Sequence, residues 1–548
     1  MPLRRILPGL LFILVVLPGY MPVAVGAPFT CRAFAGLPGD VDLGISSDEQ
    51  QGGGGLVGET VRLLNGNTFA SRTDFSFVSP HSLGLTFSAY YNSRSTVVSP
   101  LGFGWSHTYS VQLEPAFDIK SRTYIRIVDA TGRGHYFRKK YPELIRKAFR
   151  ERSHVTAETD GFTWHRLNGS RYGFSRTGRL LWIDDEKGNR LELGYDEQDR
   201  LETVTDLASG RVLTFNYNEN DLIESIAGPA TEAVADGIWV VFEYDANQNL
   251  TSVSYKDGTG FDNTYSDSED VHNLTEVYNR AGQVINTWSY DDQDRCLENL
   301  TPNGKSVSVN YVSDHQVNVT DAYDVERTYT VRKIGRRKRI TAMQGLAGPP
   351  YTDTKVIRWR YDEKMRLVRV RHANGSVNRY RNFDRRGNPR TIILAAGTEQ
   401  RRKILFTYHS DMNVVLSRRE KSVLGAGKKK TIFDFDDDGN DVPNENPTGL
   451  IYRIIEKGFT HNPAGDILPY KYITRFTYND RGQVLAVDGP LTGSDDTTGF
   501  TYNTTGDLIT IGRPLIGSTT FLAHDVAGQP GKAIDVNNQS TRFSYDAR

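Results

Sequence analysis

The chain has 548 residues, with 66 Lys+Arg against 66 Asp+Glu, so no net field draws it to nucleic acid or to an anionic membrane. That length exceeds what one ordinary core supports and calls for several domains or a repeat architecture. Hydrophobic residues make up 38% and Gly 51, Tyr 28 and Phe 25 stand out, a composition of strands and turns that points to an all-β fold.

The first segment, "MPLRRILPGLLFILVVLPGYMPVAVGAPFTCRAFAG", sets Arg4 and Arg5 before an apolar run to Leu17 and then small residues. This is the layout of a secretory signal peptide, assigned to 1–27. Pro8, Gly9, Pro18 and Gly19 break a run already short of the roughly 20 apolar residues a bilayer needs. A secreted or cell-surface location without a stable membrane span is therefore expected. Cleavage at Val25-Gly26-Ala27 keeps Cys31, which can then pair with Cys296 in an oxidising compartment, whereas cleavage at Ala33-Phe34-Ala35 removes it. Residues 28–58, which include "SSDEQQGGGG", read as a flexible linker. Over 59–140, stretches such as "LGLTFSAYYNSRS" and "WSHTYSVQLEP" alternate with period two and are broken by Pro80, Pro100 and Gly102, which predicts a small β domain.

From residue 165 to 548 one unit keeps returning. It reads "FSRTGRLLWI" at 174, "GYDEQDRLETV" at 194, "NYNENDLIESI" at 216, "EYDANQNLTSV" at 243, "SYDDQDRCLEN" at 289, "RYDEKMRLVRV" at 360, "TYNDRGQVLAV" at 477 and "TYNTTGDLITI" at 501. Aromatic anchors lie at 174 and 195 (21 apart), 195 and 217 (22), 217 and 244 (27), and 478 and 502 (24). A period this steady means a repeat array. Within the unit, a strand ends in Tyr, and the following Asp or Asn accepts a hydrogen bond from the N–H two residues on. The fourth residue past the aromatic is Gly178, Gly282, Gly387, Gly482, Gly506 or Gly528, or else Asp199, Asp221 or Asp294, residues that tolerate a left-handed backbone. Gln248 and Met365 depart from the pattern. Each unit is one hairpin, too small to be stable alone.

This Tyr-Asp-x-x-Gly-Arg-Leu unit resembles the YD or RHS repeat of bacterial Rhs and Tc-type toxin proteins and of animal teneurins. Residues 65–109 resemble the domain that precedes those repeats in Rhs proteins, through Asp74, Tyr91-Asn92-Ser93 and Gly102-Phe103-Gly104-Trp105. The resemblance implies a long sheet spiralling into a shell that encloses, presents or delivers a passenger polypeptide. Geometry agrees: about 22 residues per repeat gives roughly 17 hairpins and a sheet ~170 Å wide at ~4.8 Å per strand, and open sheets beyond about 10 strands curl or split. The chain stops inside a further copy, "FSYDAR", so a truncated product or a reduced shell is expected.

Two charged features stand apart from the repeats. "DFDDDGNDVPNE", residues 434–445, has Asp434, Asp436, Asp438, Asn440 and Glu445 at the spacing of a calcium loop, with Gly439 at the turn. Asp441 and Pro443 argue against an EF-hand, which leaves a structural Ca2+ site or an acidic surface loop, expected as an insertion over 425–470. The basic stretches "RKIGRRKRI" (332–340) and "GKKK" (427–430) read as solvated strand edges that resist sheet-to-sheet pairing, with a grip on heparin-like glycans or nucleic acid as the alternative. No HExxH, GxSxG or P-loop occurs, and His107 beside Trp105 and Tyr109 reads as part of an aromatic core. The expectation is a non-catalytic scaffold for a passenger of a toxin-type system or for contact with neighbouring cells, with an extracellular carbohydrate- or receptor-binding module as the alternative.

Overall fold

The computed structural model describes residues 56–545 apart from 58–59, 78–82, 120–121, 140–143, 148–152, 186, 303–305, 336, 346–355, 426, 437, 439, 441, 447 and 494. The expected signal peptide, Cys31 and nearly all of the linker lie outside the described residues, as do Gly439 and Asp441. Every named element among the described residues is a strand, as the composition predicts. A five-stranded sheet runs in the order Leu56–Val57, Val61–Arg62, Asn67–Ser76, Thr86–Asn92, Trp105–His107, beside a small ribbon of Val98–Ser99 and Gly102–Phe103. From Gln112–Ile119 to Ser540–Arg542 every strand then pairs antiparallel with the next in chain order. The leading strand closes back on the sheet through a Gln112–Arg179 bridge and a Leu113 N–H to Gly178 carbonyl bond of 2.9 Å.

The long sheet thus begins at 112, not at 165, and the separate N-terminal sheet ends near 107. The stretch between pairs as array strands (for example Gly161–His165 with Arg171–Ser175) but lacks the Tyr-Asp turn that marks a copy in sequence. The expected insertion over 425–470 is narrower too. Lys428–Asp434, Arg453–His461 and Ile467–Tyr478 pair in unbroken order, and only the connection 435–452 departs from the hairpin pattern. Lys428–Asp434 is flanked by strands on both sides, and 332–340 is the turn end of a hairpin. Neither basic stretch is an edge strand, because the array places further hairpins on each side.

The repeat turn is built as its residues dictate. The Asp199 N–H bonds to the Asp196 carbonyl at 3.1 Å, while the Asp196 carboxylate accepts the N–H groups of Gln198 at 3.0 Å and Arg200 at 2.8 Å. The fourth position is left-handed in these copies, from φ 94 at Gly178 to 54 at Asp294, and also at Gln248 (63) and Met365 (58). A side chain there strains the backbone by roughly 1–2 kcal/mol, partly offset by the extra flexibility of Gly when unfolded. Met365→Gly is therefore expected to stabilise by about 0.5–1 kcal/mol in urea denaturation; a destabilised variant would contradict this assignment.

A second device joins many repeats to the one before. The Tyr217 hydroxyl donates to the Leu201 carbonyl at 2.8 Å, Tyr244 to Ile223 at 2.7 Å, Tyr290 to Leu274 at 2.8 Å and Tyr502 to Val484 at 2.8 Å. In the Tyr217, Tyr244 and Tyr502 locks the acceptor lies six residues past the preceding aromatic. The Arg after the turn stacks on the next ring: Arg200 on Tyr217 at 4.7 Å, Arg295 on Tyr311 at 4.4 Å and Arg366 on Phe383 at 4.3 Å. Its guanidinium is also held by the turn Asp, as in Arg366 Nε to Asp362 at 2.7 Å.

The sheet coils so that a later turn stacks on an earlier one. Asn189 Nδ2 donates to the Arg481 carbonyl at 2.9 Å across 292 residues. Arg211 reaches Asp507 at 2.9 Å across 296 residues and the Val526 carbonyl at 2.8 Å across 315. The connections between hairpins of the first turn thus meet the Tyr-Asp turns of the second.

Candidate functional site

Alternation divides the long sheet into two faces. One carries the apolar residue two before seven of the repeat Tyr: Phe215, Phe242, Trp288, Trp359, Phe406, Phe476 and Phe500. The N-terminal sheet packs on this aromatic face between about 200 and 300. Phe87 meets Phe215 at 6.1 Å and Phe242 at 6.0 Å between ring centres, Phe77 meets Trp239 edge-on at 4.8 Å, and Trp288 Nε1 donates to Thr60 at 3.1 Å.

The residues that carried the family resemblance are the ones that dock the two units. Asp74 accepts from Arg72 and from the Tyr255 hydroxyl. The Tyr91 hydroxyl donates to the His272 carbonyl at 3.0 Å and accepts the Leu274 N–H at 2.9 Å. Trp105 Nε1 donates to Tyr265 at 2.9 Å. Gly102 has φ 96, and a Cβ there would sit 2.6 Å from the Gln248 carbonyl oxygen, so only glycine lets Phe103 N–H reach that carbonyl at 2.9 Å.

His107 is buried in this interface, stacked on Phe87 at 5.4 Å, and burial pushes its pKa from 6.5 down to about 3. The unfolded side chain takes up a proton near pH 6.5 that the folded one refuses. Stability is therefore lost as pH falls below 6.5 toward 3, at about 1.4 kcal/mol per pH unit from this group. The His107→Phe variant is expected to show a correspondingly flatter fall in stability between pH 6.5 and 5; parallel curves would refute the assignment.

Beyond residue 356 the aromatic face has no such cover among the described residues. Trp359, Tyr361, Phe383 and Phe406 surround a small buried cluster but are themselves only half-buried, and Phe476, Tyr502 and Phe521 do the same around Val487 and Phe500. These are two half-open apolar patches on the side where the N-terminal sheet sits, separated by charged residues that include Arg402, Arg418, Glu420 and Lys429.

On the opposite face lies the acidic connection. Asp434, Asp436 and Asp438 bring ligand oxygens within 4.8 Å of one another. Asp434 is fully buried and paired with Arg453, itself 2% exposed; Arg453 Nε stands 3.1 Å from its Oδ2, and Asn444 N–H donates to its Oδ1 at 3.1 Å. Arg453 also reaches Asp438 at 3.4 Å and donates to the Asn440 carbonyl. The Asn440 N–H returns to Asp438 at 3.0 Å. Glu445 turns away, accepting the Ser410 N–H at 2.9 Å. Three of the five expected ligands therefore converge, Asn440 adjoins them, Glu445 does not, and the Arg453 guanidinium already lies against Asp434 and Asp438. Arg453, at the start of the next strand, carried no signal within the loop's own sequence.

Cys296 is buried and free among the described residues, its thiol pushed up to about 12 by burial, which makes it inert.

The class defined by this geometry is an all-β protein built on one long, coiled antiparallel sheet with a docked N-terminal β unit. Residues 58–137 match the model of a family described as a domain of unknown function, DUF6531, which spans the N-terminal sheet and the first strands of the long one. No curated protein matches the chain. Among solved structures it is similar to TcdB2-TccC3-TEV, at 12% identity and TM-score 0.41 over 82% of this chain and 24% of that one. It is also similar to TcdB2-TccC3 without its hypervariable C-terminal region, at 10% identity and TM-score 0.41 over 86% and 30%. The Photorhabdus luminescens Tc holotoxin pore gives 10% identity and TM-score 0.31 over 86% and 29%. The chain spans less than a third of the length of these structures.

Proposed function

We propose that the chain is a secreted or cell-surface scaffold of the RHS/YD-repeat type, non-catalytic, whose coiled sheet forms a β-shell that encloses, presents or delivers a passenger polypeptide. The observation that carries this reading is the aromatic face: covered by the N-terminal sheet in the first turn and half-open in two patches from 356 onward, it offers apolar patches to an unfolded or partly folded chain. The stacked turns add a wall. The test is protease protection of an unstructured passenger fused after Arg548. Protection in the wild type that is lost in an Arg211→Ala, Asp507→Ala seam variant supports enclosure, and equal cleavage of the fused and free passenger refutes it. Export is tested by fractionating cells that express the chain with and without residues 1–27; the full chain alone should leave the cytoplasm.

The acidic connection, on this proposal, is held by Arg453. A structural Ca2+ would have to displace that guanidinium from Asp434 and draw Glu445 away from Ser410. Arg453→Met should lower the melting temperature, whereas millimolar calcium should leave the wild type unchanged. A calcium-induced rise that disappears in an Asp436→Ala, Asp438→Ala variant would establish calcium instead.

A further inference from the structure

The net charge of zero hides a segregation that only the register exposes. Directly opposed residues of neighbouring strands share a face. On the face turned away from the aromatic side, Arg360 stands opposite Arg369, Arg369 opposite Arg379, and Arg379 opposite Ile393, with Lys403 next. A parallel row runs from Arg381 through Thr391 and Leu405 to Arg419. It continues through Lys430 and Lys457 to Lys471. Arg358 opposite Arg371, and Lys421 opposite Lys428, extend the band. Neither row contains a carboxylate. Earlier in the array the same face is mixed, with Glu192, Glu243, Asp262, Glu276, Glu298 and Glu326 beside cations such as Arg171, Arg190 and Arg332.

Like charges directly opposite one another in a sheet repel. Along the second row lies a recess of about 310 Å3, lined by Leu405, Phe406, Thr407, Ser417, Arg419 and Lys430 and overhung by Pro443. Its floor carries two paired hydroxyls, Thr407 and Ser417, 2.7 Å apart.

We propose that this band is a binding site for a linear sulfated polysaccharide, whose anionic groups lie along the cation rows while a sugar ring enters the recess beneath Pro443. Charge complementarity selects a polyanion, since Arg guanidinium groups hold sulfate in bidentate fashion. The 435–452 connection selects its shape. It rises from the same face with Asp436 and Asp438 on it, which repels a flat anionic membrane yet leaves a thread-like chain room alongside. The rows present no aromatic ring on which single-stranded nucleic acid would stack, and no element that enters a duplex groove.

The test is titration of the full chain with heparin at several salt concentrations, using two charge-matched variants. Arg381→Ser, Arg419→Ser, Lys428→Ser removes three cations from the band; Arg402→Ser, Arg418→Ser, Lys429→Ser removes three from the aromatic side. Salt-sensitive binding that weakens at least tenfold in the first variant and less than twofold in the second is the expected result. Equal weakening in both would overturn the site, and so would tighter binding of duplex DNA or of phosphatidylglycerol vesicles than of heparin. Should the first variant fail to fold, lysine acetylation of the wild type decides: heparin should shield Lys428 and Lys471 but not Lys429, and uniform shielding or none would overturn the proposal.

Discussion

Replacing Phe87 by Ala is expected to lower the free energy of unfolding by about 3–5 kcal/mol. Phe87 has no exposed surface, and its ring lies 5.9 Å from Phe75 and 5.4 Å from His107 in its own unit as well as against Phe215 and Phe242 of the array. The cavity left by truncation is bounded by two sheets that cannot both collapse into it. Urea denaturation checks the magnitude, and the loss should be felt in both units because they share one buried cluster. A cost below about 1 kcal/mol would mean that the N-terminal sheet does not dock on the aromatic face.

Asp507→Ala should cost a similar amount for an electrostatic reason. Arg211 and Asp507 have side chains only 6% and 2% exposed, so removing the carboxylate strands a buried guanidinium, a change worth about 3–5 kcal/mol. The paired replacement Arg211→Met, Asp507→Leu should recover most of that loss, because a well-packed apolar pair needs no counter-charge. A double variant as unstable as the single one would show that the pair's hydrogen bonds, including Arg211 to the Val526 carbonyl, hold the seam.

The turn chemistry was legible residue by residue. Asp199 and Gly482 announce a left-handed position, and even Gln248 and Met365, which break the sequence rule, adopt the same backbone because the hairpins on either side dictate it. The tyrosine ring was legible as packing, but its hydroxyl lock was not, since its acceptor is a backbone carbonyl that any residue supplies. The boundary at 112 was hidden because strands without a Tyr-Asp turn leave only alternation. The acidic spacing singled out Asp434, Asp436 and Asp438, yet Arg453, the partner of Asp434 and Asp438, comes from the next strand. The cation rows needed a register: Arg419, Lys430, Lys457 and Lys471 are scattered in sequence, and only strand pairing lines them up. The contact between Arg211 and Asp507 depends on how many residues complete one turn of the coil, a sum over many small hairpin twists that no single motif encodes.

The central claim, that the repeats coil until one turn rests on another, is tested most directly by cross-linking across the seam. Lys187→Cys and Arg481→Cys, in a Cys31→Ser background, place two thiols beside the Asn189 to Arg481 contact, where the Lys187 side chain already lies 3.0 Å from the Cβ position of Gly482. Cys296 is buried and will not compete. A short bismaleimide should link the pair within one chain, giving a faster-migrating monomer on a denaturing gel. Thiols that react fully but form no intramolecular link, or only link separate chains, would contradict the coiled stack.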